Sequence, residues 1–278
     1  MLDFQKLVEE FQRIGIEKNQ VLLVHSSFKS FGGVEGGPQT VIDALLHVLG
    51  DQGTLIVPRF NFDFSSNGTS WDIRNTPSHM GIISEFVRTD PRSLSVFHPI
   101  YSFSIIGKYA KRLTEKKYKG SYSSDSIFHQ LRVLNAKILQ IDLVYKGATM
   151  IHHVEEMVGV DYRYHKDFTG FVTDENGQTY EDTFDIYVRD WEKGFVTDVL
   201  PIGKILEEKG VSKVDKIGNA ITWFSDAEEL YQTTKDAIND NQHILCKIIP
   251  PSKDNEFIIK NYSETLKFNP DYVNSKKV

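Results

Sequence analysis

The sequence predicts an α/β fold in which a central mixed, largely parallel sheet is flanked by helices, with a smaller antiparallel insertion in the second half. Three observations predict it. Two continuous apolar runs, Val21-Leu22-Leu23-Val24 and Thr54-Leu55-Ile56-Val57, flank a helix-period stripe of Val41, Ile42, Leu45, Leu46 and Leu49. Apolar runs without polar alternation are the mark of strands buried on both faces. Strand-like and helix-like segments go on alternating to about Gly159, the order that layers helices on a sheet. Beyond that point the pattern turns strand-like, and Asn176-Gly177 is a hairpin turn signal between two such segments.

Each element has a local reason. Leu7, Val8, Phe11 and Ile14 mark one face of an opening helix. After the first strand and a loop at 26–37, Pro38 sits where a first helical residue is favoured, and Gly50 stops the stripe. Asp51-Gln52-Gly53 turns the chain into the second strand, which Pro58 closes. Residues 59–80 are polar and aromatic without a period and read as a long loop near a site. A short helix at 81–88, a strand at 101–106, a helix at 125–134 and a strand at 137–143 follow, the last leading into a helix that runs to about Gly159. The hairpin joins 168–173 to 180–188, Ser225-x-x-Glu228 is a capping box for a helix to about 239, and 244–249 reads as a late strand. No internal repeat or Pro-, Gly- or Ser-rich linker divides the chain, so 1–278 is expected to be one domain, in portions 1–159, 160–200 and 201–278.

The 40% hydrophobic content is ample for a packed core. A net charge of −6 argues against a nucleic-acid binder, which needs a basic stripe to neutralise phosphates. Residues 1–150 carry +3 and residues 151–278 carry −9. That asymmetry suits an anionic cofactor in one part and a cationic substrate in the other, and equally a solvated surface. The single cysteine, Cys246, rules out an intramolecular disulfide. The first twelve residues carry charges on an amphipathic pattern instead of a signal peptide's apolar stretch, and no apolar run approaches the roughly 18 residues of a membrane span. A cytoplasmic location and no membrane partner are therefore expected.

The segment Thr149-Met150-Ile151-His152-His153-Val154-Glu155 reads T-x-x-H-x-x-E at the start of a helix. Residues three apart share a helix face, so His152 and Glu155 can pair as a base and its orienting partner. With Thr149 as N-cap, His152 lies in the first turn, where the helix dipole disfavours the imidazolium while Glu155 favours it. The same spacing also describes a solvated surface pair. No metal is expected, because His152 and His153 are adjacent and point to different faces, unlike the i, i+4 histidines of a zinc-protease helix. The segment follows a strand, and open α/β sheets place ligands past the carboxyl ends of strands. Two weaker signals lie earlier. His25-Ser26-Ser27 with Gly32-Gly33-Val34-Glu35-Gly36-Gly37 forms a strand-to-helix turn able to offer N–H groups to a phosphate, and His98-Pro99-Ile100-Tyr101-Ser102 pairs a second histidine with a serine.

Taken in order, His25-Ser26-Ser27, Gly36-Gly37, Gly53-Thr54-Leu55 with Pro58, Trp71-Asp72, Thr76-Pro77-Ser78, Met80-Gly81, Phe86-x-Arg88, His98-Pro99-x-x-Ser102, Gly107, Ser126 and Thr149-x-x-His152-x-x-Glu155 resemble the aminoglycoside 3-N-acetyltransferase family. The resemblance spans roughly residues 1–165 and reappears more weakly to about 240. It implies an enzyme that transfers acetyl from acetyl-CoA to a primary amine of an amino sugar or aminocyclitol, with His152 as catalytic base and Glu155 as its partner. It also implies that Ser26, Ser27, Arg88, His98 and Ser102 line the CoA side, and that 1–159 is the CoA-binding and catalytic portion. Direct attack is expected over a covalent acyl-enzyme, since Cys246 has only His243 nearby in sequence.

On the acceptor side the candidates are Thr149, Arg163 and Tyr164. The acids Asp174, Glu175, Glu181, Asp182, Asp185, Asp190, Glu192 and Asp198 would suit a polycation. Arg163 and Lys166 with Tyr162, Tyr164 and Phe168 would suit a nucleotide diphosphate. Relatives in this resemblance include enzymes of surface-polysaccharide (O-antigen) synthesis, and the expectation leans to a nucleotide-linked amino sugar. The alternatives are an aminoglycoside, which would make the chain an antibiotic-resistance enzyme, and, from another class, a non-catalytic ligand-binding relative. The partner expected is a small-molecule amine, and self-association is left open.

Overall fold

The computed structural model describes residues 1–143, 145, 148–250 and 252. The chain runs through α1 (Phe4–Arg13), β1 (Val21–Ser26), α2 (Pro38–Leu49), β2 (Thr54–Pro58), α3 (Asp63–Asn67), β3 (Trp71–Asp72), α4 (Ile82–Thr89), β4 (Leu94–Ser95), β5 (Phe103–Gly107), α5 (Ala110–Thr114), α6 (Ile127–Val133) and β6 (Lys137–Ile141). It continues through α7 (Met150–Val158), β7 (Arg163–Thr173), β8 (Thr179–Arg189), β9 (Phe195–Thr197), α8 (Leu200–Glu208), β10 (Ser212–Ile217), β11 (Ala220–Asp226), α9 (Ala227–Asp240) and β12 (Cys246–Ile248).

The continuous apolar runs arise because β1 and β2 are covered on both sides. Val21 and Leu23 of β1 join one core with Ile56, Ile105 and Ile138, while Leu22 and Val24 join the other with Leu55, Val57 and Leu139. The strand period of two assigns alternate residues to opposite faces. Helices α1, α2 and α4 close the second face, through Leu7, Val8 and Phe11, Val41 to Leu49, and Ile83 and Val87. The first face is closed by α6, α7, α8 and α9, through Phe128, Leu131, Ile151, Val154, Leu206 and Leu230.

The main sheet has seven strands in the order β10-β11-β6-β1-β2-β5-β4. It is mixed, as expected, but parallel only at its centre: β1 pairs in parallel with β2 and β6, and the four remaining pairings are antiparallel. The expectation of a largely parallel sheet is corrected by the connections. A parallel pair needs a crossover such as α2, whereas β10 and β11 are joined by Gly218 and Asn219 alone, which permits only antiparallel pairing. The antiparallel insertion is the hairpin of β7 and β8, in register from Thr173↔Thr179 to Arg163↔Arg189, with β3 added in parallel at Trp71↔Val172.

The stretch 59–80 is more ordered than a loop. It holds α3 and β3, and Phe64, Trp71 and Ile73 build a third core with Val172, Phe184 and Ile186 of the hairpin. Its organiser is Arg59, 1% exposed, which donates to the carbonyls of Ile73 (2.5 Å) and Thr76 (2.6 Å) and to Ser95 Oγ (3.0 Å). Farther on, the helix cap is Asp226 and not Ser225: Asp226 Oδ1 accepts from the N–H groups of Glu228 (2.9 Å) and Glu229 (3.2 Å), while Ser225 lies buried in β11. Among the described residues no helix is long and apolar enough to cross a membrane.

Candidate active site

Strands β1 and β6 run side by side to the same edge, where Ser26 pairs with Ile141, and the chain leaves that edge to form α7. Thr149 precedes the helix, but its backbone is helical (φ −55°, ψ −21°) and its side chain makes no capping hydrogen bond, so the expected Thr149 cap is corrected. A capping side chain needs an extended backbone to fold back on the first turn. The helix ends on Gly159 at φ +78°, a left-handed conformation that glycine adopts without a Cβ clash.

His152 stands in the first turn with its side chain 20% exposed, and Glu155, one turn on, is fully buried. His152 Nδ1 lies 2.5 Å from Glu155 Oε2. A carboxylate can only accept, so Nδ1 carries the proton and Nε2 keeps its lone pair. Glu155 is held from two further directions. Tyr162 Oη donates to Oε1 at 2.8 Å, and Arg163 Nε approaches Oε2 at 2.8 Å as an ion pair. Arg163 also donates to the Tyr187 carbonyl at 3.1 Å, and one of its terminal nitrogens lies 3.0 Å from His152 Nδ1. With the proton on Nδ1, that last approach is a close contact and not a second hydrogen bond.

Burial is the main cause that lowers the His152 pKa below 6.5, the Arg163 charge lowers it further, and Glu155 opposes both. Burial pushes Glu155 up, but Arg163, His152 and Tyr162 outweigh it and hold the carboxyl below 4.5. The pair therefore stands as neutral imidazole beside carboxylate at neutral pH. On the adjacent face of α7, His153 is fully buried, donates from Nδ1 to the Tyr122 carbonyl and packs on Tyr231 at 5.4 Å; burial drives it down to about 4. The expectation that the two histidines point apart holds.

The other predicted residues separate into two groups. Ser26 and Ser27 lie at the strand edge, where Ser27 joins a hydroxyl chain: Ser30 Oγ is 2.9 Å from Ser27 Oγ and 2.5 Å from Asp142 Oδ2. Arg88, His98 and Ser102 are engaged inward. Arg88 is bound by Glu85 (2.5 Å) and the Arg74 carbonyl (3.0 Å). His98 is 2% exposed and its Nδ1 accepts from the N–H groups of Ile100 (3.1 Å) and Tyr101 (3.0 Å). Ser102, fully buried, donates to the Val96 carbonyl at 2.7 Å. On the hairpin Tyr164 is exposed, whereas Arg163 has joined the His152–Glu155 cluster with its side chain only 6% exposed. Of the acids that would suit a polycation, Asp174 holds its own turn by accepting from the N–H groups of Asn176 and Gln178, both at 3.0 Å. Asp182 pairs with Lys119, Asp190 with Lys193 and Asp198 with Lys247. Among the described residues no group of three or more His, Cys, Asp or Glu could hold a metal ion.

Three residues of the cluster carry roles that the sequence reading missed. Tyr162, grouped in the sequence with residues that would suit a nucleotide diphosphate, holds Glu155; Arg189 and Tyr122 were not singled out. Arg189 had a legible signal: the turn at 174–178 fixes a register that sets Arg163 opposite Arg189. Like charges directly opposite repel, and the Glu155 carboxylate, ion-paired with Arg163, offsets that repulsion at both arginines.

Comparison with known proteins agrees with this geometry. The pattern described as aminoglycoside 3-N-acetyltransferase matches residues 23–239. The SPbeta prophage-derived aminoglycoside N(3')-acetyltransferase-like protein YokD of Bacillus subtilis is 28% identical over 173 residues, 54% of this chain and 64% of that protein. The aligned stretch spans about three fifths of the length of the curated relatives it matches. Among solved structures, aminoglycoside acetyltransferase AAC(3)-Xa superposes with TM-score 0.76 at 21% identity, over 85% of this chain and 92% of that one. A structure described as AAC-IIIb binary with CoASH superposes with TM-score 0.75 at 18% identity, over 90% and 98%. The α/β scaffold, the T-x-x-H-x-x-E helix at the edge of its central strands and the match over most of its length agree: this chain belongs to the aminoglycoside 3-N-acetyltransferase family.

Proposed function

We propose that this chain is an acetyl-CoA-dependent N-acetyltransferase whose acceptor is a primary amine of an aminoglycoside-type amino sugar, with His152 as general base. The observation that carries the reading is the 2.5 Å approach of His152 Nδ1 to the buried Glu155 carboxylate: with Nδ1–H donating to Glu155, Nε2 keeps its lone pair as an acceptor. Bound acetyl-CoA would supply the acetyl group as a thioester. A protonated amine has no lone pair to attack it. The amine therefore reacts as its free base: Nε2 removes one proton from that nitrogen as the C–N bond forms, Glu155 steadies the imidazolium, the C–S bond breaks, and the same nitrogen returns the proton to the departing thiolate sulfur. Ser26 and Ser27, at the carboxyl ends of the parallel strands, fit the thioester side. Arg88, His98 and Ser102 act there by shaping the wall, because Arg88 and Ser102 are bound within the protein and His98 is buried with its Nδ1 bound to backbone N–H groups.

The sequence reading leaned towards a nucleotide-linked amino sugar, and that preference reverses. It relied on Arg163 to grip a diphosphate, and the Arg163 guanidinium is instead paired with Glu155. The relatives are described as acting on aminoglycosides, which favours the alternative acceptor. Release of free thiol from acetyl-CoA, measured with aminoglycosides and with nucleotide-linked amino sugars side by side, tests the reading. Turnover with the aminoglycosides is expected. Turnover with the nucleotide sugars alone would restore the other acceptor, and no CoA binding with either would mean a non-catalytic relative.

A further inference from the structure

Resting on that reading, we propose that Tyr122 is a positioning residue for His152, held for this purpose by the two residues of α7 that the reaction does not use. Tyr122 comes from a loop thirty positions earlier, yet its ring packs against the His152 imidazole with centroids 5.3 Å apart at 55°. Its backbone is gripped by the same helix. The Tyr122 N–H donates to Glu156 Oε2 at 3.2 Å, and its carbonyl accepts from His153 Nδ1. The loop is tied on the other side to β8, where Ser121 N donates to the Asp185 carbonyl at 3.0 Å and the Tyr187 N–H donates to Ser121 Oγ at 2.9 Å. The ring itself is 2% exposed and packs on Tyr101 at 4.9 Å and Phe128 at 5.3 Å.

The consequence is geometric. Glu155 fixes one nitrogen of the imidazole but leaves the ring free to rock about that single hydrogen bond. A wall on the ring face removes this freedom, so Nε2 is aimed and the site on that side is dry. His153 and Glu156, next to His152 and Glu155 in sequence, then have a shared purpose: one turn of helix carries the base pair and the clamp of its wall. The groups facing His152 are Glu155 on its own helix, Arg163 on β7, Arg189 on β8 and the Tyr122 phenol from the loop.

Tyr122→Ala and Tyr122→Phe test the proposal. Misplacement of a reacting group by about an ångström costs up to about 10²-fold, so Tyr122→Ala is expected to lower kcat by about 10- to 100-fold with little change in the KM for acetyl-CoA. Water reaching the ring also lets its proton affinity return towards 6.5, moving the acid limb of kcat/KM to higher pH. Tyr122→Phe keeps the wall and is expected to restore both. Titration of the His152 ring proton by NMR in the same variants reads the environment without any acceptor. A shifted titration in Tyr122→Ala alongside a fully active His152→Ala would sink the base and leave the wall standing. An unmoved titration and unmoved acid limb in folded Tyr122→Ala would overturn the wall. Should Tyr122→Ala fail to fold, Glu156→Ala, which removes the acceptor of the Tyr122 N–H, and His153→Ala, which removes the donor to its carbonyl, are expected to give the same shift in smaller measure; absence of any shift in both folded variants would equally overturn it.

Discussion

His98 and His152 sit in similar surroundings and end with different chemistry. Each is packed on aromatic rings, His98 on Phe184 at 5.2 Å and Tyr101 at 5.8 Å, His152 on Tyr122 at 5.3 Å, and burial lowers the proton affinity of both. At His98 burial acts almost alone and drives the pKa to about 3, Nδ1 accepts two backbone N–H groups, and no edge of the ring reaches solvent. At His152 a buried carboxylate opposes the effect of burial, Nδ1 donates instead of accepting, and a fifth of the side chain stays open. The difference teaches that what occupies one nitrogen of a histidine decides whether the other is fitted to act as the base proposed for His152. Without an acceptor there, the same aromatic setting makes a structural turn.

The comparison can be broken or sharpened by substitution. His152→Ala is expected to lower turnover by about 10²–10⁴-fold while CoA binding, followed by titration calorimetry, is retained. Glu155→Gln is expected to cost less in turnover but more in stability. It leaves the Arg163 side chain, only 6% exposed, without its anion, and removing one partner of a buried ion pair costs about 3–5 kcal/mol, readable in urea unfolding. His98→Ala shifts the weight towards stability: a loss of about 1–3 kcal/mol from two unsatisfied N–H groups, with a smaller loss of turnover per folded molecule than His152→Ala. The smallest effect is expected from Asp226→Ala, about 1 kcal/mol from the lost cap of α9.

Acid should unfold the protein through its structural histidines. His25 and His98 are held at about 3 and His153 at about 4, below the unfolded value of 6.5. For each, the unfolded chain binds the proton more tightly. The stability they confer is present above pH 6.5 and lost as pH falls from there towards 4 and 3. Stability measured by urea unfolding across that window should fall steadily, and a flat profile would contradict the neutral, buried state of these rings.

Local periodicity made the scaffold legible. β1, α2 and β2 announce themselves because each is covered on the faces its own pattern marks. His152 and Glu155 were legible for the same reason, being partners one turn apart. What stayed hidden depends on distant contacts. β10 is an edge strand carrying Lys213, Asp215 and Lys216, charges that keep edges from pairing further but erase the apolar pattern. The order of 59–80 comes from Arg59 reaching carbonyls 14 and 17 residues away, which no local rule detects. Arg163 was noticed as an acceptor-side candidate, but its pairing with Glu155 follows from where β7 begins after Gly159 and not from its neighbours in sequence.

The account rests on an unprotonated Nε2 at His152 in the working enzyme. The most direct measurement is kcat/KM for thiol release with an aminoglycoside as a function of pH. The profile is expected to carry, besides the limb of the acceptor amine itself, a limb with an apparent pKa below 6.5 that is lost in His152→Ala. Absence of that lower limb, or its survival in His152→Ala at the wild-type rate, would contradict the central claim.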